Sequence, residues 1–453
     1  MNISEATINF VCKHANDDVR KLALSAKRAE GLDLSFALDQ IAGRQKARTK
    51  LPSWFAMADK AMDEDKSLDE AHFLVFPPHI SMEQCSSEQT ARYKKSVLDR
   101  ILAVVLDQSR SGNVHFIDIT GGFGVDFSYL AQGFAEATYV ERQEHLCEIA
   151  KHNFPLLGLP KANVICKELE TPLELPFLVN GLGTDLKRTW NGPGTDLERT
   201  YNGGRTDLQE IVIFSDPARR DTNGNRTYAI GDCTPNILDF IGELLKKTAI
   251  VMVKLSPMLD WHQTVEDINR ASDSGNAVRE VHIVSTQNEC KELLLVLSER
   301  YESALEVHCV NDDEAFVFTP SEANTTISES RNAERLFVPN ASVMKAGCFS
   351  EIESRFGVRQ IARNSHLFVG GADVEGFPGR VFNILCVTTM NKKELKSALA
   401  GIDRANISVR NFPLSPEQLR KRLKIKDGGD IYLFATTTDE EEHVIYITRK
   451  ESL

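Results

Sequence analysis

The chain has 453 residues, of which 42% are hydrophobic, and a formal net charge of −12. This length and composition are sufficient for a packed core and predict two or three domains. The negative charge argues against nonspecific binding to nucleic acid or anionic membranes, but it is compatible with a local basic face. The longest apolar runs, such as TAIVMV, are far shorter than the ~20 residues needed to span a bilayer.

The nine cysteines are scattered, and they form no C-x-x-C pair or cluster with histidine. This pattern predicts reduced thiols and no metal site. The first residues, MNISEATINFVCKHANDDVRK, carry charges among their apolar residues, which argues against a signal peptide. Together these features predict a cytoplasmic protein with neither a membrane nor a metal partner.

Residues 1–105 predict an N-terminal helical region. In SSEQTARYKKSVLDRILAVVL, Ser86 and Gln89 form a candidate capping box, and apolar residues follow at helical spacing from Val97 to Val105. The segments LPSWF and LVFPPH interrupt this region as loops.

Residues 106–299 predict an α/β domain, because short apolar runs alternate with stretches of helical period. The runs are VHFID, ATYVE, NVICKE, EIVIFSD, AIVMVKLS, EVHIVS and ELLLVLS. This alternation predicts a Rossmann-like, doubly wound sheet whose ligand site lies at the carboxyl ends of the strands. An Asn-Gly repeat that begins at Asn180, Asn191 and Asn202 predicts a polar surface loop inserted at 180–210.

The last third of the chain predicts two small α+β domains. Residues 300–374 contain a strand pair, ALEVHCV and EAFVFTP, and a helix, ASVMKAGCFSEIESRFG. Residues 375–453 contain a helix that begins with Ser415 as N-cap, Pro416 at the first helical position and Gln418 completing a capping box.

The stretch VHFIDITGGFGVDFSYLA holds candidate cofactor-binding residues. A dinucleotide site requires G-x-G-x-x-G, but Phe127 occupies the third glycine position, and Asp126 is an unfavourable neighbour for a pyrophosphate. S-adenosylmethionine carries positive charge and no phosphate, so the acidic turn predicts this cofactor instead. The candidate ligands are Asp118, Thr120, Gly121, Gly122, Gly124 and Asp126.

Acids at the ends of the second and third strands extend this site. Glu141 is spaced to accept hydrogen bonds from both ribose hydroxyls, as acids in NAD sites also do. Glu168 is a candidate near the adenine, and a helix cap or a solvated charge is its alternative role.

The fourth strand ends in the motif IVIFSDPARRD, which carries the catalytic candidates. Asp216 is suited to accept a hydrogen bond from the methyl acceptor, and Pro217 stiffens the turn. Methyl transfer from a sulfonium depends mainly on positioning. We assign Asp216, Pro217 and Arg219 as catalytic candidates and Arg220 as a substrate-binding candidate, and pairing with local acids is the alternative for both arginines.

Several of these motifs resemble a bacterial family of class I S-adenosylmethionine-dependent methyltransferases with a C-terminal THUMP-like domain. The motifs are DITGGFGVD, YVERQEHLCEIAKHN, SDPARRD, VKLSPMLDW, LFVPNASVMKAGCFSEIESRFGVRQI and ISVRNFPLSPEQLRKRLKIKDGGDIYLF. The resemblance covers the chain from about residue 85 to its end. It implies a methyltransferase domain at 106–299, a THUMP-like domain at 375–453 and an RNA substrate, with a ferredoxin-like domain predicted at 300–374.

Two features depart from better-known methyltransferases. Thr120 replaces the usual first glycine of the turn. Base amino-methyltransferases carry an aromatic residue after the proline motif, whereas this sequence has Ala-Arg-Arg, which argues against methylation of an exocyclic amine. Phe214 or Trp261 would be the alternative residue to stack on a flipped base. Phe123 is expected to pack under the cofactor.

Residues 404–426 form a local basic segment, with seven arginines and lysines and only Glu417 among the acids. Phosphate binding requires such a patch in an otherwise acidic chain, so the segment predicts RNA as a partner. A solvated helix face is the alternative. The candidate phosphate-binding residues are Arg420, Lys421, Arg422 and Lys424.

The sequence leaves several functions open. An RNA methyltransferase is the leading hypothesis, because Asp118, Glu141 and Asp216 are all present. The alternatives are an RNA-binding protein with an inactive or sensing methyltransferase fold, and a methyltransferase acting on a small molecule or a protein. Phe127 argues against a dinucleotide oxidoreductase.

Overall fold

The structure is a computed structural model, and its first feature is a division of the chain into two units. One unit contains residues 1–279 and 294–303, and the other contains residues 280–293 and 304–453. The described residues are 3–26, 29–63, 73–105, 114–169, 171–175, 210–218, 229–301, 303–320 and 333–451. The predicted domain boundaries after residues 105, 299 and 374 stay predictions.

The N-terminal region is helical, as predicted. Its helices are α1 Glu5–Lys13, α2 Val19–Ser25, α3 Leu34–Lys50, α4 Pro52–Asp63, α5 His79–Gln84 and α6 Glu88–Val105. The side chains of Ser4, Asp18 and Asp33 accept backbone N–H groups at the starts of α1, α2 and α3. These caps satisfy donors that a helix N-terminus leaves without partners, which explains why the helices begin at these residues.

The predicted LVFPPH loop is held by two buried amide side chains. Gln40 bonds both the N–H and the carbonyl of Phe76, at 2.8 and 2.9 Å. Asn153 does the same for Val75, at 3.0 and 2.7 Å. Buried backbone groups must find such partners, so these two side chains replace the missing strand or helix bonds of the loop.

Helix α6 begins one residue later than the predicted capping box requires. The hydroxyl of Ser87, not that of Ser86, accepts the N–H of Thr90, at 3.2 Å. The prediction of a Ser86–Gln89 box is therefore wrong. The hydroxyl of Ser86 instead donates to the Asp126 carboxylate at 2.7 Å.

The first sheet confirms the predicted Rossmann-like α/β fold. Its leading strands are β1 Val114–Asp118, β2 Glu136–Glu141, β3 Asn163–Cys166, β4 Glu210–Ser215 and β5 Ile250–Leu255. These five pair in parallel. The associated helices are α7 Val125–Leu130, α8 Glu144–Leu156, α9 Ile241–Lys247 and α10 Trp261–Ala271. The buried, almost wholly apolar strands β1, β4 and β5 are typical of a sheet covered on both faces.

The sheet continues through β6 Val278–Thr286, β7 Glu289–Leu297, β8 Glu306–Asn311 and β9 Glu314–Phe318, in the order β3-β2-β1-β4-β5-β7-β6-β8-β9. The reversal from β3 through β1 to β4 creates a switch point at the carboxyl ends of β1 and β4. Ligands bind at such points in open α/β sheets. The topology thus predicts that the residues following β1, β2 and β4 form the ligand site.

The second sheet lies in the C-terminal half of the chain and has the order β11-β12-β10-β13-β16-β15-β14. Its strands are β10 Arg335–Pro339, β11 Arg359–Gln360, β12 Phe368–Gly370, β13 Gly379–Thr389, β14 Asn406–Val409, β15 Ile431–Thr437 and β16 His443–Lys450. Its helices are α11 Ala341–Ala346, α12 Phe349–Phe356, α13 Lys392–Ala398 and α14 Pro416–Leu423. The mixture of strands and helices confirms the predicted α+β character.

Two predicted helices of the C-terminal half can be compared directly with the structure. The predicted helix across ASVMKAGCFSEIESRFG is divided into α11 and α12, because Gly347 adopts a left-handed conformation with φ of 70° and ends α11. Helix α14 has the predicted capping box, with Ser415, Pro416 and Gln418 in their expected positions. Within the described part of the chain, no helix is both long and apolar enough to cross a membrane.

Candidate active site

The glycine turn between β1 and α7 is shaped by two close contacts. The N–H of Gly121 bonds the Val140 carbonyl at 2.8 Å, which draws the turn against β2. A β-carbon at residue 121 would lie 2.1 Å from the Tyr139 ring, so only glycine fits this position. Gly122 and Gly124 have φ of 55° and 84°, a region that favours glycine. The predicted glycines are thus required by the turn itself.

Asp118 lies at the end of β1 and is only 1% exposed. Its Oδ1 accepts the Thr120 N–H at 2.9 Å. Burial, together with the negative charges of Asp126, Asp216 and Glu141, raises the pKa of Asp118 well above its usual value, although the Thr120 N–H opposes that rise. A cation brought beside this carboxyl would favour its ionised form.

Glu141 ends β2 and has both carboxylate oxygens held by backbone donors. Its Oε2 accepts the Gly122 N–H at 2.9 Å, and its Oε1 accepts the Gln143 N–H at 2.8 Å. Each oxygen keeps a further lone pair, so two more donors can be bound without breaking these bonds. The contact with Gly122 brings Glu141 directly against the glycine turn.

Thr120 connects the turn after β1 with the motif after β4. The Thr120 hydroxyl accepts the Asp216 N–H at 2.6 Å. Two residues on, Ala218 exchanges backbone bonds with Thr234, at 2.8 and 3.0 Å. The departure from the usual glycine at residue 120 therefore has a structural role, because a glycine would lack the hydroxyl that holds Asp216.

Two buried lysines, which sequence reasoning did not identify, complete the charge arrangement. Lys254, on β5, donates to Asp216 and lies 4.0 Å from Asp126. Lys94, on α6, is fully buried and lies 3.1 Å from Asp126. Charged side chains are seldom fully buried unless they are paired. Here Lys94 pairs with Asp126, and Lys254 lies between Asp126 and Asp216, so positive and negative charges alternate.

A sequence signal for both lysines existed. Lys94 precedes Val97, Leu98 and Ile101 at spacings of three, four and seven, so it occupies the apolar stripe of α6. Lys254 interrupts the apolar run of β5. A lysine at a position that periodicity assigns to the core predicts a buried acid as its partner, but periodicity cannot identify that acid.

The environment of Asp126 differs from the one expected for a cofactor ligand. Burial raises the pKa of its carboxyl, but the charges of Lys94 and Lys254 and the Ser86 hydrogen bond outweigh burial and lower the pKa below its usual value. The carboxylate is therefore ionised and held by protein groups. A direct role for Asp126 in cofactor binding stays a prediction.

The three aromatic residues considered in the sequence are all buried. Phe123 packs against Trp54 and Phe76 of the N-terminal region, with ring centroids 5.2 and 6.5 Å apart, and its expected place under the cofactor stays a prediction. Phe214 and Trp261 are both buried. Neither ring is exposed for stacking on a base, and a stacking role for either residue stays a prediction.

The remaining candidates in this unit are Glu168 and Pro217, which the structure describes, and two arginines, which it does not. Glu168, two residues past β3, is exposed and forms an ion pair with Arg142 at 2.9 Å. Pro217 is buried beside Asp216. Arg219 and Arg220 lie outside the described residues, as does all of the repeat insertion except Glu210. The predicted roles of these residues stay predictions.

The basic candidates of the C-terminal segment lie on and after α14. Lys421, Arg422 and Lys424 are exposed. Arg420 is partly buried, donates to the Ala405 carbonyl at 2.9 Å and pairs with Asp427 at 2.5 Å. Arg420 therefore holds the local backbone together, whereas the other three cations face solvent.

Comparisons with known proteins agree with this architecture. A THUMP domain-like family model matches residues 379–450, and a ferredoxin-like domain model matches residues 336–378. A proposed methyltransferase from Porphyromonas gingivalis W83 is 27% identical, with a TM-score of 0.74, over 99% of this chain and 98% of its own. No curated protein matches the sequence.

More distant structures share less of the fold. A SAM-dependent methyltransferase from Agrobacterium tumefaciens is 17% identical, with a TM-score of 0.32, over 50% of this chain and 66% of its own. An rRNA methylase from Streptococcus thermophilus is 14% identical, with a TM-score of 0.27, over 45% of this chain and 93% of its own.

The full-length match and the two domain models identify the class of protein. The chain has the fold of a class I methyltransferase, followed by a ferredoxin-like and a THUMP-like domain. The resemblance seen in the sequence motifs is therefore confirmed.

Proposed function

We propose that the protein is an S-adenosylmethionine-dependent methyltransferase whose substrate is RNA. The observation that carries the cofactor assignment is the convergence of Asp118, the glycine turn and Glu141 at the carboxyl ends of β1 and β2. The donor set fits the cofactor, because Glu141 has lone pairs for two ribose hydroxyls and Asp118 offers a carboxyl to a cationic group.

The chain's own residues would position the methyl acceptor. S-adenosylmethionine, when bound, supplies a methyl group on a positively charged sulfur. Asp216 accepts a hydrogen bond from the acceptor nucleophile and aims its lone pair, while Lys254 and the Thr120 hydroxyl hold Asp216 in one orientation. Positioning of this kind supplies most of the rate gain in a displacement.

The RNA assignment rests on the C-terminal domain. The resemblance to THUMP-like proteins implies an RNA-binding module, and the exposed cations Lys421, Arg422 and Lys424 on and after α14 offer phosphate contacts. Arg220, Arg219 and Glu168 retain their predicted roles in substrate contact, catalysis and adenine binding. We place the protein in the cytoplasm, in agreement with nine free cysteines.

Calorimetry tests the cofactor. The purified protein should bind S-adenosylhomocysteine and not NAD, and Asp118→Ala should weaken the binding, because it removes the carboxyl at the end of β1. A preference for NAD would overturn the cofactor assignment.

A turnover assay tests Asp216. Asp216→Ala should reduce methyl transfer at least about a hundredfold, because the acceptor is no longer positioned, while S-adenosylhomocysteine affinity stays close to that of the parent. Asp216→Asn keeps the volume and serves as the variant that is least disturbing to folding. Loss of cofactor affinity equal to that of Asp118→Ala would mean that Asp216 binds the cofactor instead.

The substrate class can be tested with RNA from a strain that lacks the gene. Labelled S-adenosylmethionine should transfer its methyl group to this RNA, and mass spectrometry of the nucleosides should identify the modified base. Label that appears in protein or small molecules, and survives treatment with ribonuclease, would contradict RNA as the substrate.

A further inference from the structure

A polar cluster occurs on strands β6 and β8, which pair in parallel within the second unit. The register places Glu280 opposite Glu306 and His282 opposite His308. Residues two apart on a strand share a face, so all four side chains lie on one side of this strand pair. Both strands carry the tripeptide Glu-Val-His at these positions, and the pairing brings the two copies side by side.

The ligand-type atoms of three of these residues are close together. His282 Nε2 lies 2.8 Å from Glu280 Oε2, and His308 Nε2 lies 3.8 Å from the same oxygen. One ligand atom from each residue lies within 4.8 Å of the other two. The two imidazole rings are stacked, with centroids 4.3 Å apart and an angle of 25° between their planes.

The cluster is sheltered but has an accessible edge. His282 and Glu280 are buried, and the His308 side chain is 13% exposed. Glu306 is 49% exposed, and its Oε2 lies 3.3 Å from His308 Nε2. Shelter strengthens the attraction between a carboxylate and a cation, and the exposed Glu306 marks a route by which an ion can enter.

We propose that Glu280, His282 and His308 bind a divalent transition-metal ion of the zinc type. Two imidazoles and one carboxylate are a ligand set that suits zinc and similar ions. A tetrahedral ion with bonds of ~2.0–2.1 Å separates its ligand atoms by about 3.3 Å. The two distances to Glu280 Oε2, 2.8 and 3.8 Å, lie on either side of this value, and all three ligand atoms lie within 4.8 Å of one another, so side-chain rotation toward a common ion would complete the site.

Glu306 supplies the fourth position or a hydrogen bond to it. Its Oε2 lies 3.3 Å from His308 Nε2, the nitrogen that would bind the ion, so the carboxylate can reach the same ion or a water bound to it. The bound ion would tie β6 to β8, whose parallel pairing connects residues about 26 apart in sequence. The site therefore has a structural role within its unit, independent of cofactor binding and methyl transfer.

Metal analysis of the full-length protein tests the site. After dialysis against a chelator and reloading with zinc, the protein should retain one equivalent through gel filtration and melt at a higher temperature than the metal-free form. Cobalt, used as a spectroscopic probe, should give the visible absorption bands of a low-coordinate site. A protein that retains no zinc and gives no cobalt bands would overturn the proposal.

Matched variants make the test specific. His308→Gln should lower zinc affinity at least about tenfold, and Glu306→Gln, at an exposed position, should lower it by a smaller factor. His443→Gln, at an exposed histidine of β16, is the control and should leave zinc retention unchanged. Equal zinc affinity in the His308 variant, the His443 variant and the parent would show that the cluster is only a hydrogen-bonded Glu–His pair.

If His308→Gln fails to fold, as circular dichroism would reveal, Glu306→Gln and the cobalt spectrum of the parent decide the question. Reduced zinc affinity in a folded Glu306 variant, with cobalt bands in the parent, supports the site. Unchanged affinity together with absent bands overturns it.

Discussion

Two charged regions of the molecule differ in how their charges are solvated. Near the glycine turn, Lys94 and Lys254 are buried and both form ion pairs with the buried Asp126. On and after α14, Lys421 and Arg422 are exposed to water. The first group is stabilised by its partners in the protein, and the second by solvent.

This difference determines what a substitution costs. Removing one member of a buried pair leaves its partner charged and without water, which costs several kcal/mol. Removing an exposed charge costs the fold almost nothing but changes how the surface attracts a polyanion. Stability measurements should therefore report on the first region, and salt-dependent binding should report on the second.

The largest effect is expected for Lys94→Met. The substitution leaves the buried Asp126 without its nearest cation and should lower the free energy of unfolding by about 3–5 kcal/mol at pH 8. The loss should be smaller at pH 5, because the carboxyl can then take up a proton. Denaturant unfolding at both pH values measures the effect.

The neighbouring lysine provides the control. Lys95→Met removes a partly exposed pair with Asp99 on the same helix and should cost at most about 0.5 kcal/mol. Adding Asp126→Asn to Lys94→Met should restore much of the stability. If Lys94→Met and Lys95→Met are equally mild, the buried pair does not carry the stability assigned to it.

A second prediction concerns Asp118, whose burial raises its pKa. The folded state binds this proton more tightly than the unfolded state, so this group makes stability fall as pH rises from the unfolded pKa to the raised folded pKa. Asp118→Asn removes the penalty. The variant should melt at a higher temperature than the parent at pH 8, with little difference at pH 5, while its affinity for S-adenosylhomocysteine falls.

Melting curves across this pH range, without and with S-adenosylhomocysteine, check the Asp118 prediction. A variant that is destabilised equally at both pH values would contradict it, since that result would mean that Asp118 is ionised and favourably bound in the folded protein.

A smaller effect, on RNA binding and not on stability, is expected at the exposed cations. Replacing Lys421, Arg422 and Lys424 with glutamine should make the dependence of RNA binding on salt shallower, by about 0.7 in slope for each lost contact to a single strand. Cofactor affinity and melting temperature should not change. Arg420 is left intact because it bonds Ala405 and Asp427.

Helix α13 offers a control for this prediction with the same number of charges. Lys392, Lys393 and Lys396 are exposed on another helix of the THUMP-like domain. Their replacement by glutamine should leave the salt slope closer to that of the parent. Identical slopes for the two triple variants would mean that the α14 cations are an ordinary solvated surface and do not bind RNA phosphates.

The smallest effect is expected for deletion of the repeat from Asn180 to Thr206. Its polar, glycine-rich units are unsuited to core packing, and shortening a long loop changes its closure entropy only slightly. Melting temperature and S-adenosylhomocysteine affinity should stay near those of the parent. A large drop in melting temperature would mean that the repeat contributes to packing.

Local patterns in the sequence determined the elements and much of the site. The alternation of apolar runs and helical periods predicted the α/β sheet, because both periods follow from backbone geometry. The glycines of the turn and the acids Asp118 and Glu141 were also predictable, since backbone conformation and strand ends depend on neighbouring residues. The capping box at Ser415 was predicted for the same reason.

Only the tertiary structure decided which distant side chains meet. Asp126 was expected to face the cofactor, but Lys94 of α6 and Lys254 of β5 hold its carboxylate. His282 and His308 carry no metal-binding spacing, and strand pairing alone puts their rings together. Spacing along a chain reports the face on which a residue lies, whereas burial and pairing depend on what folds against that face. Periodicity therefore cannot identify contacts between side chains that are far apart in the sequence.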